Sequence, residues 1–213
     1  EMVIRDWSSD VCSSDLADAA LALCAVRELI ETGRYDKEFI GRWSNAPFLI
    51  DDRTGCFLRP SAGSAQCVVW NSRHGRPEAT STECADPNWT DWSLRYRGTV
   101  ETPSGPVQAS TALNHLWTAA APWDYGTTST HTGIPISELR NFIDLLTEAM
   151  PAIGYHAWTG IAQHANATQT ERAIACLYAL LGGFDRRGGN VQLPVLPARS
   201  TAVSTPLKNI ATG

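Results

Sequence analysis

The stretch "WTGIAQHANATQTERAIACLYALLGGFDRRGGNV", residues 158–191, decides how this chain is read. Within it Ala173, Ile174, Leu177, Leu180 and Leu181 recur at helical spacing, which predicts a helix beginning near Thr168. Thr168 and Glu171 stand at capping-box spacing at its start, and Gly182 and Gly183 close it. The nine residues before the polar part, "AIGYHAWTG", read as a short strand closed by Gly160. Before that, residues 134–150 place Ile136, Leu139, Phe142, Ile143 and Leu146 on one face of a helix. Ser137 is its expected N-cap, and Pro151 lies just beyond its end. Helix, strand, loop, helix in this order is an α/β unit whose loop sits at the carboxyl end of the strand. In open α/β sheets that is where ligands bind.

That loop brings Gly160, Gln163, His164, Asn166, Thr168 and Gln169 together ahead of a helix N-terminus. A glycine permits close approach of a ligand to the backbone. Amide and hydroxyl side chains offer neutral donors and acceptors, and the first N–H groups of a helix favour an anion. A nucleotide, with charged phosphates and a polar base, suits this set. The same residue types also serve ordinary loops and helix caps, so the pattern taken alone leaves both readings open.

Working outward, residues 18–32 carry Leu21, Leu23, Val26, Leu29 and Ile30 among several alanines and predict a largely buried helix. Gly33 is placed to end it. "RYDKEFIGRW" predicts a short second helix, and from about residue 48 to 111 the signal turns to β. There "FLIDDRTGCFL" and "VVWNSRHGRPE" each pair short apolar runs across a turn containing Gly and read as two hairpins. Tryptophans at 70, 89, 92, 117 and 123 fall mostly in or near this region. Packing is the simpler role for them, and a Trp-rich binding module on an α/β unit is the alternative.

Composition excludes several classes. The 213 residues hold 17 basic and 22 acidic side chains for a net charge of −5, without the clustered Lys and Arg of a nucleic-acid surface. No apolar run approaches the roughly 18 residues that suggest a membrane-spanning helix. Cys24, Cys56, Cys67, Cys84 and Cys176 form no C-x-x-C pair and read as reduced thiols. His115, His131 and His156 lie in unlike segments with no ligand spacing, and neither a P-loop nor a G-x-S-x-G is present.

The opening stretch resembles, from Asp6 to Leu16, the translation of a DNA adapter used in library construction. Residues 1–16 are therefore expected to be an artefact, with the native chain running on upstream of Ala17. They contain four acids and one base, so setting them aside moves the charge toward neutral.

The quoted segment at residues 158–191 resembles the molybdopterin oxidoreductases of the dimethyl-sulfoxide-reductase superfamily, which read G-x-x-Q-H, a helix, then a Gly-rich turn with Arg. Upstream, "ADAALALCAVRELIETGRYDKEFIGRWSNAPFL" is similar to that family's G-T-D-x-A-L helix and the Y-D-x-x-F-I-x-x-W that follows. "GIPISELRNFIDLL" resembles its G-I-P helix. The resemblance implies an α/β dinucleotide-binding domain over residues 17–200, with a β-hairpin-rich insertion at about 48–111 and a linker at 201–213. It implies that Asp18, Thr159, Gly160, Gln163 and His164 contact the cofactor, a bis-molybdopterin guanine dinucleotide carrying molybdenum or tungsten. Ala17 departs from the usual Thr, and Thr159 stands where many members have Met.

The metal-ligating residue and any 4Fe-4S ligands are expected upstream, so no catalytic residue is named in this stretch. The implied activity is two-electron redox or oxygen-atom transfer on a small-molecule substrate in anaerobic respiration, with an iron–sulfur electron-transfer subunit as a possible partner. The alternative is a non-redox hydratase or hydroxyl transferase of the same superfamily. A fragment of this kind is expected to leave Leu21, Leu29 and Ile30 partly bare.

Overall fold

The computed structural model describes residues 17–80, 88–157, 159–162 and 166–192. The first helix, α1 (Ala17–Thr32), ends as expected: Gly33 takes φ +70°, and Arg34 N–H reaches back to Leu29 O at 3.0 Å. That bond satisfies a carbonyl the helix cannot satisfy itself. Asp36 then caps α2 (Lys37–Trp43), its Oδ1 accepting from Phe39 N at 2.8 Å.

The β region has two small antiparallel sheets. In one, β1 (Leu49–Asp51) pairs with β5 (Gly105–Thr111), which pairs in turn with β4 (Arg97–Thr102); the other is the hairpin of β2 (Val68–Asn71) and β3 (Arg76–Ala79). The β2–β3 hairpin is the one expected from "VVWNSRHGRPE". The expected hairpin in "FLIDDRTGCFL" is only half formed. Asp51 and Leu58 N–H groups bond across the turn to Cys56 O and Leu49 O, but β1's ladder partner is β5, some sixty residues away. Behind β1 a small core gathers Leu49, Val100 and Ala109 beneath Trp70 and Tyr96, whose rings stack at 4.0 Å.

Strand β5 runs straight into α3 (Ala112–Ala120). Fully buried Thr111 accepts from Asn114 N and donates to Leu94 O at 2.9 Å. Then come α4 (Tyr125–Thr132), α5 (Ile136–Ala149), α6 (Thr159–Ala162) and α7 (Ala167–Leu181). The main core forms around α1. Its Ala22, Ala25, Val26, Leu29 and Ile30 meet Leu113, Ile143, Leu177, Leu180 and Leu181. Leu29 and Ile30 are buried, so the expected bare edge is corrected: α4 and α7 cover it from within this chain. Only Leu21 of the three stays half-exposed.

Two further expectations are corrected. Ser137 is not the cap of α5, because Pro135 holds that position and its carbonyl accepts from Glu138 and Leu139 N–H, leaving Ser137 inside the first turn. The expected strand before Gly160 is not formed over residues 152–157. A strand exists only through a ladder with a neighbour. Here Ala152 and Ile153 N–H bond to Ala149 O and Pro151 O, and Tyr155 N–H bonds to a side chain instead.

Candidate functional site

The geometry of the site follows from how α1 and α7 lie together. Arg34 is tied to the last turn of α1, and two residues on, Asp36 N–H donates to Leu180 O at 2.8 Å. Two residues span at most about 7 Å, whereas α7 is roughly 22 Å long. The carboxyl ends of the two helices therefore meet. Asp18, in the first turn of α1, is exposed.

Gly160 lies within α6, exposed, and a Cβ at that position would meet nothing within 4 Å. It opens outward and terminates no strand. Thr159 begins α6. Gln163 and His164 lie outside the described residues. Asn166, half-buried, precedes α7 as its N-cap without a side-chain bond to the helix, while its carbonyl accepts from Gln169 and Thr170 N–H at 3.1 Å. The capping box expected from Thr168 and Glu171 does not form. Helix α7 begins a turn-fraction earlier, which places Gln169 at the third helical position. Glu171 instead accepts the hydroxyl hydrogen of Tyr155. That carboxylate, together with burial as the larger cause, pushes the Tyr155 phenol up to about 12.

The base of the site is held by residues that pattern-reading passed over. Asn190 accepts from Tyr155 N–H at 2.5 Å and donates to Tyr155 O at 2.9 Å, and its own N–H donates to Tyr178 Oη at 3.1 Å. Asn190 follows two glycines in a turn, which marks it only as a turn residue; its partners lie 12 and 35 positions away. The same turn closes on glycines of necessity. A Cβ at Gly189 would fall 1.8 Å from Gly183 O.

Elsewhere, Asp52 contacts His115 Nε2 at 3.1 Å and accepts from Ser110 Oγ at 3.2 Å. An acid between serine and histidine cannot relay the serine proton to the imidazole, so this is no nucleophile–base pair. Several tryptophans of the β region and its flank have partners among the described residues. Trp117 donates to Glu31 and faces Arg95 at 4.6 Å, and Trp89 lies where a Cβ on Gly41 would come within 2.6 Å of it. Among the described residues no group of His, Cys, Asp and Glu gathers as a metal site. None of the described helices is long and apolar enough to cross a membrane.

The described residues thus form a mixed α/β unit in which α1 and α7 share one core and meet at their carboxyl ends. No protein-family model matches the chain. It is 30% identical to a sulfite dehydrogenase subunit of Allochromatium vinosum, over 81% of this chain and 21% of that protein. It is 26% identical to a tetrathionate reductase subunit of Archaeoglobus fulgidus, over 81% of this chain and 16% of that protein. With a dimethylsulfide dehydrogenase subunit of Rhodovulum sulfidophilum it shares 25% identity, over 88% of this chain and 22% of that protein. Each is named a dehydrogenase or reductase. The chain is thus similar over most of its length to oxidoreductase subunits, as its resemblance to the molybdopterin oxidoreductases implies, and spans about a fifth of the length of the curated relatives it matches.

Proposed function

We propose that this chain supplies part of the guanine-dinucleotide site of a molybdenum or tungsten bis-molybdopterin oxidoreductase, with Asp18, Thr159, Gly160, Gln163 and His164 as contact residues. The observation that carries the reading is the similarity to oxidoreductase subunits over most of the chain, beside which Asp18 is exposed and Gly160 has open space next to its backbone among the described residues.

The donor set fits such a ligand. Gly160 leaves open space beside the backbone, and Asn166 gives the first-turn N–H groups of α7 no side-chain acceptor, which suits a phosphate. Exposed Asp18 offers a carboxylate to the amino and imino edge of a guanine. The bound group would supply the two-electron chemistry, while these residues bind and orient it. The residue on the metal and any 4Fe-4S ligands belong to other parts of the full-length protein. Its substrate would be a small sulfur compound, the class in the relatives' names. Each of those relatives is named as one subunit of its enzyme, which fits an electron-transfer partner chain.

The test is Gln163→Ala in the full-length protein, with molybdenum or tungsten and guanine measured per folded protein. Losing one or two net hydrogen bonds of about 0.5–1.5 kcal/mol each should weaken retention roughly 2- to 150-fold. Full metal, nucleotide and turnover in a folded variant would refute the assignment. The reading as a Trp-rich binding module is disfavoured, since the rings it needs are packed against Gly41, Glu31, Arg95 and Tyr96.

A further inference from the structure

Tyr155 stands four positions before α6, and Glu171 lies in the second turn of α7. Tyr155 O–H donates to Glu171 Oε2 on α7. Tyr155 is also fixed through its backbone, because Asn190 pairs with both its N–H and its carbonyl, at 2.5 and 2.9 Å. Asn190 is in turn fixed by Tyr178, two helical turns beyond Glu171, whose ring lies 5.7 Å from that of Tyr155. The tyrosine is thus gripped at three points, two of them on α7, and its hydroxyl reaches the turn of that helix next to Asn166.

We infer that Tyr155 and Glu171 form a positioning clasp, a hydroxyl–carboxylate bond that sets α6 and Gly160 against the start of α7. This rests on the reading of the stretch around Gly160 as cofactor-binding. Neither residue touches the cofactor; each acts through the stretch between them. The clasp joins segments on either side of α6, so loosening it frees α6 without removing a residue proposed to contact the cofactor.

The test uses the full-length, cofactor-loaded protein and three variants: Tyr155→Phe, Glu171→Leu and Glu171→Gln. The glutamine keeps an amide oxygen that can accept the tyrosine hydroxyl. Amide hydrogen exchange at residues 159–162 reads the clasp itself, and the rate of guanine-nucleotide and metal loss on dialysis reads its consequence. Tyr155→Phe and Glu171→Leu should exchange and lose nucleotide about three- to tenfold faster, the range expected for one net hydrogen bond. Glu171→Gln should stay within about twofold of the parent, a rescue that loss of general stability would not show. If Tyr155→Phe does not fold, the Leu and Gln variants at 171 carry the comparison. Unchanged exchange at 159–162 overturns the clasp. Faster exchange with unchanged nucleotide retention also overturns it as a positioning device; the cofactor reading then stands if Gln163→Ala still sheds nucleotide. If Gln163→Ala retains everything as well, both fail together.

Discussion

Replacing Gly182 by alanine should be among the most damaging single-methyl changes in this domain. Gly182 ends α7 in the left-handed region, with φ +66°. Forcing an L-residue there costs about 1–2 kcal/mol. The new Cβ would also fall 2.4 Å from Asp36 Oδ2 and 2.7 Å from Asp36 Cβ. Asp36 cannot simply retreat. Its N–H is bonded to Leu180 O, its Oδ1 caps α2 through Phe39 N, and its Oδ2 pairs with Arg186 at 3.0 Å. Moving the side chain aside gives up the cap, typically 0.5–2 kcal/mol. The partly exposed ion pair adds little. A total of about 1.5–4 kcal/mol follows from these two parts.

Urea unfolding at constant m would measure it. The control is Gly55→Ala, where φ is +69° but no atom lies within 4 Å of the new Cβ, so only the backbone part applies. Asp36→Ala in the Gly182→Ala background should then cost less than it does alone, because the cap it deletes has already been given up. If Gly182→Ala is no worse than Gly55→Ala, the contact with Asp36 carries no energy and the reasoning fails.

Leu180→Ala should cost about 2–5 kcal/mol in the same unfolding assay, since Leu180 is fully buried where α7 meets α1. Bonds from His74 first, then Arg76 and Asn71, hold the Glu78 carboxyl down to about 2, below its ordinary 4.5. Its contribution to the β2–β3 hairpin is therefore complete above pH 4.5 and is lost as pH falls toward 2. Thermal melts of the parent and Glu78→Gln should converge over that window; parallel curves would exclude the carboxylate as the cause. Deleting residues 1–16, which carry no apolar period, should leave the melting temperature unchanged, and a clear fall would show that they are part of the protein.

Several elements could be read from local pattern because their causes are local. Helix α7 follows from Ala173, Leu177, Leu180 and Leu181 at helical spacing and a glycine where only glycine is comfortable. Helix α1 and the β2–β3 hairpin follow in the same way. Asp18 and Gly160 could be proposed from motif position. That the carboxyl ends of α1 and α7 meet became visible only with Asp36 bonded to Leu180. Helix α4, "YGTTSTHT", has no helical pattern to read. It forms because Asp124 caps it and because Thr128 and Thr132 are buried in the domain.

The partner of β1, the failure of residues 152–157 to form a strand, and the turning of Glu171 to Tyr155 instead of its own helix end share one reason. Each is a choice among hydrogen-bonding partners that lie far apart in sequence. Periodicity and capping rules describe what a residue does within a turn or two of itself; packing alone brings in the distant donor or acceptor that wins.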